Sequence, residues 1–332
     1  TVIMNRNTSS PQECSYVSMG KNLPYLGTDL YQNGTAVESF AMQLLKNSAS
    51  KRAIFWPGAG YSCKTPAAFK RTLATGLTHA DGIHMWTYTF CSKYRDANYF
   101  WRYGGSRPNF DDKKRVALQN WYPWAWDIMQ NMYNLAGKAD KYLRNRKSVA
   151  QTAILVSERT LMTKRLQRGG IRRYWENNLG IYCSIIDAGT PVDVCFIESL
   201  SPEKMKKYKV IIASDMRSIT DKEMNILSLW VKNGGTLISS GGITLSDEWG
   251  RKKKNFKLNK VLGVDFKEWL PGAQKFTFSK INFEYPIFEK YASVSVHSKA
   301  QAVKWQIGNP AFVMNRYGHG LSYYFTAQNI RA

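Results

Sequence analysis

Cysteine is scarce in this sequence and scattered: Cys14, Cys63, Cys91, Cys183 and Cys195 include no C-x-x-C pair. That spacing excludes a zinc ribbon and a dense disulfide scaffold. An odd count leaves at least one thiol free unless it pairs between chains. Long apolar runs are missing too, and no stretch approaches the roughly 18 apolar residues of a membrane span. Acid is in short supply, with 24 Asp and Glu against 47 Lys and Arg, a net charge of +23. A field of that sign attracts nucleic acid, anionic glycans or membrane surfaces. The cations are spread over most of the length without interleaved aromatics, which argues against nucleic acid as the partner. Internal repeats and low-complexity linkers are absent. The chain opens on Thr1 without a charged-then-apolar leader, so the expectation is a processed start or a piece of a longer protein. Asn7-Thr8-Ser9 and Asn33-Gly34-Thr35 match the glycosylation sequon, a short motif. The compartment stays open, a secreted or periplasmic one being favoured over the cytoplasm.

What is present suits a globular α/β protein. The 332 residues, 44% of them hydrophobic, suffice for two domains with a core each. Up to about residue 148, short apolar runs alternate with helical stretches: "TVIMN", "LPYLGTDLY", "RAIFW" and "DGIHMWTYTF" read as strands, and "AVESFAMQLLKN" and "QNWYPWAWDIMQNMYNLAGKADKYL" as helices. Thr65-Pro66 opens another helix, a capping Thr before a Pro at the first helical position. Such alternation implies parallel strands joined by crossover helices. From residue 149 the pattern repeats: strand "TAILVS", a helix closed by Gly189, strands "VDVCFIE" and "YKVIIAS", then "TDKEMNILSLWVKNGG", capped by Thr220 with Glu223 three residues on. The strand "TLISSGG" follows. From residue 263 to 332 the texture is β-rich, ending in a hairpin that turns at Tyr317-Gly318-His319-Gly320.

The phrases "VKNGGTLISSGGITLSDEWGRKKKNFKLNKVLGVDF" and "NPAFVMNRYGHGLSYYF", in this order, resemble the trimerisation domain of family 42 β-galactosidases. The resemblance implies a flavodoxin-like, class I glutamine amidotransferase-like domain over 149–262, with 263–332 as its β-rich extension. It lacks that enzyme's Gly-x-Cys-x-Gly elbow, the position reading Ser239-Ser240-Gly241-Gly242. Residues 1–148 resemble the second half of the same clan's catalytic β/α (TIM-type) barrel, strands five to eight, which would place strands one to four upstream of Thr1. A retaining O-glycoside hydrolase acting on a β-linked glycan, assembled as a homotrimer, is what the resemblance implies. No cofactor and no metal are called for.

Retaining glycosidases use two carboxylates about 5–5.5 Å apart. The resemblance puts the acid/base outside this sequence and the nucleophile at the end of strand seven. That end reads Trp56-Pro57-Gly58-Ala59-Gly60 and holds no carboxylate. The departure keeps alive a non-catalytic glycan-binding or assembly relative, and a basic scaffold for nucleic acid or acidic polysaccharide is a further alternative. Asp29 is the nearest acidic substitute, after strand six, and Glu13 the next, after strand five. Trp56, Tyr61, Trp86 and Tyr88 are the aromatics for stacking on a sugar face, and His84, two residues before Trp86, is placed to bond a hydroxyl. Trp124 on its helix is read as core. The Asp247-Glu248 pair is read as structural, its charges pairing with Arg251 and its neighbours while Trp249 is buried.

Overall fold

The computed structural model describes residues 16–23, 25–30, 34–48, 52–57, 65–83, 89–91, 115–117, 123–143, 146–164, 170–271, 290–304 and 308–327. The chain divides into two compact units, residues 18–147 together with 1–11, and residues 148–332 together with 12–17. The expected first strand, "TVIMN", lies outside the described residues. The first described element is a helix, α1 (Tyr16–Asn22).

The first unit carries three parallel strands in the order β1 (Tyr25–Leu30), β2 (Arg52–Pro57), β3 (Gly82–Ile83). Helix α2 (Thr35–Ser48) joins β1 to β2, and α3 (Pro66–His79) joins β2 to β3. Thr65 caps α3, its hydroxyl accepting the Ala68 N–H at 3.2 Å. Phe69 and Leu73 of α3 are buried against Ile128 of α4 (Pro123–Leu143). Trp124 meets Phe69 edge-on at 5.8 Å, so it belongs to the core as its helical position suggests. Glu38 of α2 is buried beside α3, where the Thr72 hydroxyl donates to it at 2.7 Å. Burial pushes that carboxyl up to about 6. Only the two ends of the segment "DGIHMWTYTF" are described, residues 84–88 lying outside the described residues. Gly82–Ile83 runs parallel to β2, whereas β4 (Thr89–Cys91) pairs antiparallel with β5 (Arg115–Ala117), so its two ends serve different sheets.

The second unit opens with β6 (Thr152–Val156), α5 (Glu158–Lys164), α6 (Gly170–Asp187), β7 (Val192–Phe196) and the single turn α7 (Pro202–Met205). It continues through β8 (Val210–Ser214), α8 (Asp221–Lys232), β9 (Thr236–Ser240) and α9 (Asn259–Leu262). Then come β10 (Val264–Pro271), β11 (Lys290–Val296), β12 (Gln301–Lys304), β13 (Pro310–Tyr317) and β14 (Gly320–Phe325). One seven-stranded sheet runs β12-β13-β14-β9-β8-β6-β7. Its strands β7, β6, β8, β9 and β14 are mutually parallel, the 2-1-3-4-5 order of flavodoxin-like folds. Strand β14 therefore lies inside this sheet, although its residues fall within the segment read as an extension. Every residue of β7 is buried, which suits a parallel strand covered on both faces. The core between sheet and helices is built from Leu155, Ile211, Leu237, Leu227, Val231 and Tyr324.

Helix α8 starts and stops where its sequence signals. Thr220 and Glu223 form a reciprocal capping box. At the other end Gly234, at φ +114°, donates to Val231 O (2.9 Å) and Gly235 donates to Trp230 O (3.1 Å). This is the Schellman pattern, which needs a residue without a Cβ at positive φ.

The phrase Asp247-Glu248-Trp249-Gly250 is a tight turn. Asp247 points inward: its Oδ1 accepts the N–H groups of Trp249 (3.1 Å) and Arg251 (2.8 Å), and its Oδ2 accepts Arg251 Nε (2.6 Å). The expected pairing with Arg251 is present. The expected burial of Trp249 is not, for the indole is 75% exposed. A carboxylate satisfied by two backbone N–H groups fixes the turn, and the turn, not hydropathy, decides where Trp249 goes.

Candidate functional site

In open and closed α/β sheets, functional side chains gather at the carboxyl ends of the parallel strands. Among the described residues there are two such edges, one in each unit.

In the first unit, Asp29 and Trp56 are register partners across the β1–β2 ladder, each one residue from the end of its strand. Two of the residues singled out from the sequence are thus neighbours at the carboxyl edge. Glu13, Tyr61, His84, Trp86 and Tyr88 lie outside the described residues; the last three follow β3 in the chain. A cleft of about 500 Å³ between α3 and α4, lined by Lys70, Trp124, Asp127 and Met132, involves none of these candidates.

In the second unit the carboxyl edge is occupied by a buried ion cluster that sequence reasoning missed. Asp215, directly after β8, is fully buried at φ +44°. Its Oδ2 accepts Lys164 Nζ from α5 at 2.5 Å. Its Oδ1 accepts Arg217 Nε at 2.9 Å and the Gly242 N–H at 2.8 Å. Burial alone would raise the Asp215 carboxyl, but Arg217 and Lys164 outweigh it and hold it below the usual carboxylate range. Beside it, Asn177 Nδ2 donates to Ser214 Oγ, which lies 2.6 Å from Ser240 Oγ. Ser240 stands in the stretch Ser239-Ser240-Gly241-Gly242, which the sequence resemblance sets against the amidotransferase elbow. Among the described residues no hydrogen bond joins it to a histidine, and His297 is 2.9 Å from Asp265. A serine hydroxyl without an adjacent base is a weak nucleophile, and the described residues form a hydrogen-bonded ion network at this edge. Among the described residues there is also no group of three or more His, Cys, Asp and Glu placed to hold a metal ion. Cys183 and Cys195 are free thiols, and burial pushes Cys195 up to about 12, leaving it an inert core residue.

A second buried carboxyl follows β7. Glu198 Oε1 accepts Ser157 Oγ (3.0 Å), Arg159 N–H (3.2 Å) and Arg159 Nη1 (3.3 Å), while Oε2 is buried without a partner among the described residues. Arg159 also bridges to Glu223 at 2.8 Å. Burial pushes Glu198 up to about 7 against those hydrogen bonds, and Glu158 and Glu223 add to the rise. The folded protein therefore holds a proton on Glu198 that the unfolded chain releases near pH 4.5. The associated stability is present below that pH and lost as the pH rises to about 7. Glu198→Gln should abolish this slope, making the variant more stable than the parent by about 1–3 kcal/mol at pH 8. Urea unfolding of both proteins at pH 5 and pH 8 checks this, and equal curves at pH 8 would show that Glu198 ionises without cost.

The sequence offered one unused signal for this edge. Ser157 follows β6 and its hydroxyl accepts the Thr160 N–H at 3.1 Å, an N-terminal cap that announces α5. Lys164 and Asp215, 51 residues apart, carried no such mark.

A family model described as the β-galactosidase trimerisation domain matches residues 150–331. Three solved structures share the fold along nearly the whole chain. A catalytic variant of a GH42 β-galactosidase from G. stearothermophilus aligns with TM-score 0.71 and 17% identity over 95% of this chain and 48% of its own. The β-galactosidase of the Antarctic haloarchaeon Halorubrum lacusprofundi aligns with TM-score 0.74 and 12% identity over 99% and 52%. An exo-β-1,4-mannosidase from Opitutaceae bacterium strain TAV5 aligns with TM-score 0.62 and 13% identity over 92% and 55%. At such identities the likeness speaks for fold alone, and the chain spans about half the length of these structures. No curated protein matches. With more than half its residues in the matched segment, the chain belongs to the β-galactosidase trimerisation-domain family and is a relative of the GH42 β-galactosidases.

Proposed function

We propose that this chain is the carboxyl-terminal portion of a glycoside hydrolase-like protein of the β-galactosidase type, which takes a β-linked glycan. In this reading residues 1–148 are strands five to eight of a β/α barrel, and residues 149–332 hold a homotrimer together. The observation that carries it is the register of Asp29 with Trp56 near the carboxyl ends of adjacent parallel strands, the edge where barrels bind their ligands. Asp29 accepts a sugar hydroxyl, Trp56, Tyr61, Trp86 and Tyr88 offer stacking faces, and His84 bonds a further hydroxyl. Hydrolysis would need carboxylates from the upstream half, since the end of β2 reads Trp56-Pro57-Gly58. That same absence supports the second reading, a relative that recognises glycan without cleaving it.

The test uses the intact protein with 4-nitrophenyl β-D-galactoside, following both binding and turnover. Asp29→Asn should weaken whichever is present by roughly tenfold to a hundredfold, the loss of one charged hydrogen bond. Unchanged binding and turnover would remove the pocket from the β1–β2 edge. Light scattering of the intact protein at micromolar concentration should give the mass of a trimer, and a monomer there would end the assembly part of the reading.

A further inference from the structure

The turn after β9 carries chemistry that a glycan cleft at the β1–β2 edge leaves unused. Trp249 is 75% exposed, and Arg251, Lys252, Lys253 and Lys254 behind it are exposed as well. This indole does not ride on a loose tip. Asp247, 3% exposed, accepts the N–H groups of Trp249 itself and of Arg251. Gly250, at φ +83°, sits so close to α5 that a Cβ would meet Thr163 Cγ2 at 2.5 Å. Lys253 N–H donates to Leu245 O at 2.8 Å, and Lys252 bridges to Ser246. The backbone from 245 to 253 is thus fixed before any partner arrives, which removes much of the ordering cost of binding.

The charges select the partner. Four successive exposed cations, Arg251 to Lys254, favour a polyanion. An indole beside cations suits a ligand that offers an apolar ring face and anionic substituents together. A single-stranded nucleic acid is served by several aromatics that stack successive bases, whereas this turn presents one. We propose that residues 247–254 form a binding site for an acidic polysaccharide, with Trp249 stacked on a sugar ring and Arg251 to Lys254 paired with its carboxylates or sulfates. Arg251 engages Asp247 through Nε, so its terminal nitrogens serve the ligand.

The intact protein is titrated with alginate, dextran sulfate and neutral dextran over a range of salt concentrations. Binding to at least one acidic glycan and none to dextran is expected; alginate alone assigns the site to carboxylates, dextran sulfate alone to sulfates. Trp249→Ala should weaken binding about tenfold with the salt dependence unchanged. The combined Lys252→Ala, Lys253→Ala and Lys254→Ala variant should lower the slope of log K against log salt by about two to three. The proposal falls if the parent binds neither acidic glycan, or if Trp249→Ala binds them like the parent, which would reduce the attraction to diffuse charge. It falls equally if single-stranded RNA binds more tightly than either glycan with the same dependence on Trp249. A Trp249→Ala variant with altered mass by light scattering and intact glycan binding would assign the turn to contacts between copies.

Discussion

Asp215→Ala is expected to cost the second unit about 3–5 kcal/mol, the loss typical of removing one partner from a buried ion pair. Three groups lose their acceptor at once: Lys164, whose side chain is 4% exposed, Arg217, and the Gly242 N–H. The φ of +44° at this position adds to the penalty, because Asp and Asn visit that region more readily than Ala does. Asp215→Asn keeps an acceptor for Gly242 and tolerates the backbone, so it should lose less. Urea unfolding of the intact protein and both variants measures the difference. An alanine variant within about 1 kcal/mol of the parent would mean that water enters and rescues the cations, and that the cluster is not closed.

Gly320→Ala should be nearly as damaging, for a reason of space. A Cβ there would overlap the carbonyl oxygens of Val231 and Gly235, backbone atoms with no rotamer to escape into. The same helix end receives the hairpin through His319 N–H to Lys232 O (2.9 Å) and Leu321 N–H to Gly235 O (3.2 Å). Alanine therefore forces β14 away from both α8 and β9. The expected cost is about 3 kcal/mol, the upper end of overpacking, read as a fall in melting temperature of about 6–12 °C for a unit of this size. A shift under 2 °C would show that the hairpin slides aside freely.

The parts of this fold that could be read from the sequence are those whose causes are local. Thr65 before Pro66, Thr220 with Glu223, and Gly234-Gly235 each act within a few residues, and each sits where its chemistry required. The parallel core followed from apolar runs such as "VDVCF", buried along its whole length. Strand β14 was harder. Its alternating burial looks the same whether a strand pairs parallel or antiparallel, and it does both, with β9 on one side and β13 on the other. Trp249 misled because an indole weighs heavily toward the interior, while its placement is set by the carboxylate of Asp247 two residues earlier. For the candidate site, Asp29 and Trp56 were legible as strand-end residues, and their register unites them. The Lys164–Asp215–Arg217 cluster was not, since Lys164 comes from α5, 51 residues before Asp215, and no spacing announces the pairing.

The place of β14 in the sheet also bears on how this protein is made. Strand β9 is finished at Ser240, yet the neighbour on its open side begins only at Gly320. At a synthesis rate of roughly 5–20 residues per second, the unpaired edge of β9 waits some seconds for its partner. An open strand edge recruits any other strand that reaches it. Translation between Ser240 and Phe325 is thus an interval in which the open edge of β9 is exposed to mispairing, and slow codons there would prolong it.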